Sequence, residues 1–193
     1  MPRLVDPVLA PGSLARLTQP VLHDGELRLR PWQPADAPAV AAAYDDPAIR
    51  QWHARSMAGD EARAWVKQWP GRWRSETGAG WAVVGEQGSL LGQISLRAFD
   101  LPEGAAEISY WVLPEARGCR VASRALQMLT DWAFGTLGLH RIVVKHSTGN
   151  AASCRVAERA GYPLEGTERS SALHADGWHD MHLHARVTPT ASE

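Results

Sequence analysis

The segment from Ala106 to Gly138 restricts the fold more than any other part of the chain. Ala106 to Leu113 is a run of strand formers ended by Pro114. From Val121 to Leu137 the positions Val121, Ala125, Leu129, Trp132 and Ala133 share one helical face, and Gly138 supplies a stop. A strand that turns directly into a long amphipathic helix has to lay that helix back on a sheet. The turn between them, Glu115-Ala116-Arg117-Gly118-Cys119-Arg120, therefore sits beside the first N–H groups of the helix. Those groups lack internal partners and lie at the positive end of the helix dipole, so the corner is a ready site for phosphate or pyrophosphate. Taken alone this is a weak signal, because Arg and Gly are common in strand-to-helix turns.

The flanking sequence supplies more strands and helices in a definite order. Leu27 to Arg30 alternates apolar and charged residues before Pro31 and reads as a first strand. Ala35 to Tyr44 is alanine-rich and predicts a helix stopped by Asp45-Asp46-Pro47. Trp65, Trp69 and Trp73 fall one turn apart behind Asp60 and Glu61, a second helix whose aromatic stripe suits core packing. Trp81 to Gly85 and Leu90 to Arg97 form a hairpin, followed by the Ala106 to Leu113 strand. After the long helix come a β-branched central strand at Ile142 to Val144 and a helix from Ala151 to Arg159 closed by Gly161. Leu164 to Arg169 and His179 to Val187 read as closing strands. The pattern predicts one α/β (α+β) domain with a mixed sheet and helices on both faces.

Length agrees with a single core: 193 residues, of which 45% are hydrophobic and 21% charged. The formal net charge of -1 gives no global attraction to nucleic acid or anionic membrane, so any basic site must be local. Residues 1 to 24 hold four prolines and no long apolar run, and are expected to be an extended, partly flexible arm. The domain is expected over residues 25 to 187, with a short tail at 188 to 193. Two cysteines, Cys119 and Cys154, in segments read as helical argue against a disulfide framework and for a reducing cytoplasm.

At this point the chain resembles the GNAT superfamily, whose acetyl-CoA loop follows Q/R-x-x-G-x-G/A; here the run is RGCRVA, residues 117 to 122. HSTGNAASCRVAERAGY, residues 146 to 162, looks like the strand-to-helix segment of RimJ/RimL-type N-terminal acetyltransferases. LRLRPWQPADAP and AEISYWVLPEARG are similar to that branch too. The resemblance spans about residues 25 to 187. It implies a mostly antiparallel sheet of six or seven strands with about four helices, and transfer of acetyl from acetyl-CoA to a primary amine. A protein N-terminus is the first expectation for the acceptor, a small-molecule amine the second, and a catalytically weak CoA-binding module the rival reading. No metal, nucleic acid or membrane partner is implied, and the chain is expected as a monomer or homodimer.

The resemblance also assigns residues. Trp111, Val112, Leu113, Arg117, Gly118, Cys119, Arg120, Val121, Ala122, Ser123, Asn150 and Ser153 fall at cofactor-binding positions. Glu107 falls where some members carry a general base. Ala157 occupies the place of the usual acid tyrosine, which leaves Ser153 as the hydroxyl for the departing thiolate. Asn150 suits a helix cap, a pantetheine contact, or both. Trp32, Trp52, Glu107 and Trp111 are candidates for the acceptor pocket, although packing suits each tryptophan better. One departure stands out: Arg120 replaces the first loop glycine. If that position needs positive φ the side chain costs about 1 kcal/mol. The favoured expectation is ordinary helical φ, with the amides still free and the guanidinium able to pair with phosphate. His179, His182 and His184, with His174 nearby, offer no convincing ligand set by spacing alone.

Overall fold

The computed structural model describes residues 4 to 188. Eight strands form one sheet: β1 (Leu22–Asp24), β2 (Leu27–Pro31), β3 (Gly78–Val84), β4 (Leu90–Asp100), β5 (Ala105–Val112), β6 (Arg141–Ser147), β7 (Leu164–His174) and β8 (Gly177–Val187). Their order across the sheet is β1-β2-β3-β4-β5-β6-β8-β7. Every neighbouring pair is antiparallel except β5 and β6, which run parallel because α4 crosses between them. The helices are α1 (Ala37–Ala43), α2 (Pro47–His53), α3 (Gly59–Arg74), α4 (Val121–Trp132) and α5 (Ala151–Arg159).

Two apolar layers cover the sheet. The larger packs α4 and Tyr162 against Trp81, Leu96, Ile108, Ile142 and Val144, all at most 1% exposed. The smaller packs α1, α2 and α3 against Ala82, Val84 and Trp111 on the opposite face. Alternation along β3 explains how one strand serves both layers, since all seven of its residues are buried. Gly80 belongs to this contact: a Cβ there would stand 2.5 Å from the Trp69 ring, so the missing side chain lets α3 lie flat on the sheet.

Two elements exceed the sequence reading. The strand β1 lies within the segment expected as an arm; three residues before a Gly25 turn are too short for a periodic signal. The same segment is tied down further, for Leu9 and Leu14 are buried in the larger core. The Gly12 and Leu14 N–H groups donate to the Glu76 carboxylate at 2.6 and 2.7 Å. The helix α2 was not expected. α1 does stop before Asp45-Asp46-Pro47, but Asp46 also caps a new helix by accepting from the Ile49 N–H at 2.9 Å, with Pro47 at its first position. The sheet thus has eight strands and five helices where six or seven and about four were expected. The long helix also ends earlier as α-helix: Ala133–Leu137 widens into a π turn before Gly138 takes φ 85. No helix among the described residues is long and apolar enough to cross a membrane.

Candidate active site

β5 and β6 pair only from Ala105 opposite Arg141 to Ile108 opposite Val144. Both strands run on, β5 to Val112 and β6 to Ser147, without further pairing to each other, so the sheet splits between them. The amides of β5 mark the split. Leu113 N–H donates to Leu91 O of β4 at 2.9 Å, and amides alternate sides along a strand, so those of Tyr110 and Val112 face the gap. Their carbonyls face it too: Val112 O accepts from Arg117 Nε and Tyr110 O from His53 Nε2, each at 3.2 Å.

The split opens into a cleft of about 850 Å³. The first turn of α4 forms one wall. The first bond into this helix runs from Arg124 N–H to Arg120 O, so the N–H groups of Val121, Ala122 and Ser123 begin it without intrahelical partners. All three residues line the cleft, as do Gly118 and Arg120. The expectation of helical φ at Arg120 is corrected here: Arg120 sits in the left-handed region at φ 60 and Gly118 at φ 80. The chain must reverse within three residues to carry β5 into α4, and that geometry holds whichever side chain is present. Cys119 and Leu113 are not on the cleft wall. Arg117 lines it, with its guanidinium engaged by Asp46 Oδ1 at 2.6 Å, and this pair holds the loop against the start of α2. The Arg117 hydrogen bond keeps the Asp46 carboxyl below the usual carboxylate range.

The first turn of α5 forms the facing wall. Asn150 caps it, its Oδ1 accepting from the Ser153 N–H at 3.1 Å. Ser153 Oγ lies 2.8 Å from the Tyr110 hydroxyl, a contact sequence reasoning missed. Burial pushes the Tyr110 phenol well above its usual range, so it stays protonated. Alternation places Tyr110 on the opposite face of β5 from Glu107 and Trp111, but no local pattern in the sequence marks the serine it meets.

Acceptor candidates separate into two groups. Trp52 and Trp111 line the cleft. Trp32 does not: it is 7% exposed and packs edge-on to Trp65 at 5.0 Å, a core role. Glu107 is also off the cleft wall, and its carboxylate takes a 2.5 Å bond from Arg97, which does line the cleft. His53 is a second residue sequence reasoning passed over. Burial draws its pKa down to about 4, so it is neutral near pH 7. Because a carbonyl only accepts, Nε2 carries the ring proton toward Tyr110 O and Nδ1 is left as an acceptor. Around the cleft the described residues supply Arg55, Arg72, Arg120, Lys145, Arg155 and Arg159 and no carboxylate. Lys145 is paired with Glu168, but the five arginines leave the cleft locally cationic in a chain of net charge -1, which suits a polyanionic ligand.

A split sheet with free strand amides, beside a helix N-terminus in a cationic cleft, is the arrangement that the GNAT resemblance implies for an acyl-coenzyme A site, and the chain belongs to the acetyltransferase (GNAT) domain family, whose match covers residues 26–163. Among its relatives is the Bacillus subtilis protein YdaF, whose name assigns it provisionally as a ribosomal N-acetyltransferase. It is 38% identical over 92 residues, 48% of this chain and 50% of that one. The Escherichia coli ribosomal-protein-serine acetyltransferase is 31% identical over 105 residues, 54% of this chain and 59% of the relative. This chain therefore aligns with little more than half the length of these relatives. The solved structure of RimL, the ribosomal L7/L12 alpha-N-protein acetyltransferase, in complex with coenzyme A superposes with a TM-score of 0.80. It is 23% identical, and the match covers 87% of this chain and 98% of RimL.

Proposed function

We propose that this protein transfers an acetyl group from acetyl-CoA to the α-amine of a protein or peptide N-terminus, by direct attack. The observation that carries the proposal is the convergence of three donor sets on one cleft: the Tyr110 and Val112 amides, the Val121 to Ser123 amides, and the Ser153 hydroxyl backed by Tyr110. Names of relatives that act on ribosomal proteins support the choice of acceptor.

The helix N-terminus and the surrounding guanidinium groups fit a pyrophosphate, which tolerates any side chain at Arg120 because backbone amides do the binding. Bound acetyl-CoA would supply the activated thioester. The strand amides at Tyr110 and Val112 are placed to hold the charge that develops on a carbonyl oxygen. An α-amine, with a reference pKa of about 8, is partly neutral near pH 7 and needs only a weak base. Glu107, held by Arg97 at the edge of the cleft, takes that proton through water, and the Nδ1 of His53 is the competing acceptor. Ser153, its Oγ held by the Tyr110 hydroxyl, gives its proton to the departing sulfur and regains the one that the acceptor nitrogen releases. Asn150 keeps the turn that holds Ser153 closed.

A DTNB assay of CoA release with peptides of varied N-terminal residue and with small amines tests this. Turnover with peptides at a kcat/KM well above that for free amines supports the proposal. Stabilisation by acetyl-CoA with no turnover on any amine overturns it in favour of a binding module.

A further inference from the structure

Behind the cleft wall, β6, β8 and α5 bring four metal-ligating side chains together. His146 stands opposite His182 across the β6–β8 ladder and Val144 opposite His184, so His146, His182 and His184 project from one face of the sheet. That face is covered by α5, which lowers Cys154 onto them. One ligand-type atom from each of the four lies within 4.8 Å of every other, and Cys154 Sγ is 3.7 Å from His184 Nε2. A tetrahedral ion bonded at about 2.3 Å to sulfur and 2.0 Å to nitrogen places such atoms roughly 3.5 Å apart.

The ring orientations carry the argument further. His184 Nδ1 lies 2.9 Å from Tyr162 O and His146 Nδ1 lies 2.8 Å from Ser147 O. Both carbonyls accept, so both protons sit on Nδ1 and both Nε2 lone pairs are turned away from the backbone, as in imidazoles that bind metal and donate their second nitrogen outward. His146 Nε2 and His182 Nδ1 are buried without a hydrogen-bond partner among the described residues. A cluster packed for its own sake would leave both of these nitrogens buried and unbonded, the Cys154 thiol reaching His184 Nε2 alone. His184 is fully buried, and Cys154 and His182 are partly open, which leaves an entry route. The Glu158 carboxylate, 3.6 Å from Cys154 Sγ, adds negative charge beside the site. His179, which shares β8 with two of the ligands, is occupied elsewhere, bonded to Ser147 Oγ at 2.7 Å and Asp176 at 2.9 Å.

We propose that His146, Cys154, His182 and His184 form a closed tetrahedral site for a zinc-class divalent ion, and that the bound ion fastens α5, with Asn150 and Ser153 in its first turn, to β6 and β8. One thiolate and three neutral imidazoles match the preferences of Zn²⁺ and Co²⁺. Formation of the metal–sulfur bond displaces the Cys154 thiol proton to solvent, so each ion bound releases a proton. Ion binding does not require the acetyl-transfer reading, although His146 also lines the cleft.

The test uses full-length protein free of any histidine tag, in a Cys119→Ser background so that Cys154 is the only thiol, stripped with chelator and titrated with Co²⁺. The expected result is saturation at a single equivalent, with the intense visible bands of four-coordinate cobalt and a thiolate charge-transfer band in the near ultraviolet. Zn²⁺ should abolish both and raise the melting temperature by several degrees. His182→Gln with Cys154→Ser should lose the bands and the zinc-dependent shift. A pale six-coordinate spectrum without the thiolate band in the parent protein overturns the proposal, and so does an equal zinc shift in parent and double variant. The parent spectrum decides the matter even if the double variant does not fold.

Discussion

The hydroxyl of Tyr110 lies 2.8 Å from Oγ of Ser153, joining the strand that lines the split sheet to the helix that faces it. Ser153 is a poor acid alone, and a buried phenol that stays protonated donates a hydrogen bond that steadies Oγ as its proton leaves. Ser153→Ala should lower kcat about 10-fold or more, with the acetyl-CoA KM little changed. Tyr110→Phe, which keeps the ring, should lower kcat in the same direction by less. Steady-state kinetics of the two variants and their combination check the pairing, and a Tyr110→Phe enzyme at full kcat removes Tyr110 from it.

Glu107 and His53 compete for the role of base, and their variants separate them. If Glu107 serves, Glu107→Gln lowers kcat by an order of magnitude or more while His53→Gln changes it little. The reverse result assigns the proton to His53 Nδ1. Both assays need acceptor at saturation, since Arg97 is freed in the first variant and lines the cleft.

His53 also makes stability depend on pH in a definite direction. Its folded pKa, about 4, lies below the reference value of 6.5 because burial disfavours the charged ring. Between those values the unfolded chain binds a proton that the folded chain refuses, so stability falls as pH falls from about 6.5 to 4. The loss from this residue is at most on the order of 3 kcal/mol. Chemical denaturation at a series of pH values should show a shallower acid slope in His53→Gln than in the parent.

Arg120 holds a left-handed backbone that glycine adopts without strain. Arg120→Gly should raise stability by about 1 kcal/mol. It should also weaken acetyl-CoA several-fold, because a guanidinium beside the helix N-terminus is lost. Calorimetric melting and titration with the coenzyme measure the two effects. Tighter binding in the variant would show the side chain to be an obstruction.

Asp46 does two jobs, capping α2 and holding Arg117. Asp46→Ala should cost roughly 1–2 kcal/mol for the lost cap and raise the acetyl-CoA KM, since the loop loses its tie. Asp46→Asn retains a capping oxygen and should recover most of the stability without recovering KM.

The sequence by itself determined seven of the eight strands, most of the helices and the corner where β5 enters α4, because local periodicity and Gly or Pro stops act over a few residues. RGCRVA, the Asn150 cap and the Ser153 hydroxyl were all legible for that reason. Short or doubly signed elements were not: β1 is three residues long, and Asp46-Pro47 ends one helix pattern as readily as it begins another. Only tertiary structure decided that Tyr110 reaches Ser153, that Arg97 engages Glu107, that Trp32 is core, and that three histidines meet Cys154. Each of those contacts joins residues from different elements, and their partners are chosen by strand order, register and helix docking, which depend on packing across the whole sheet rather than on neighbours along the chain.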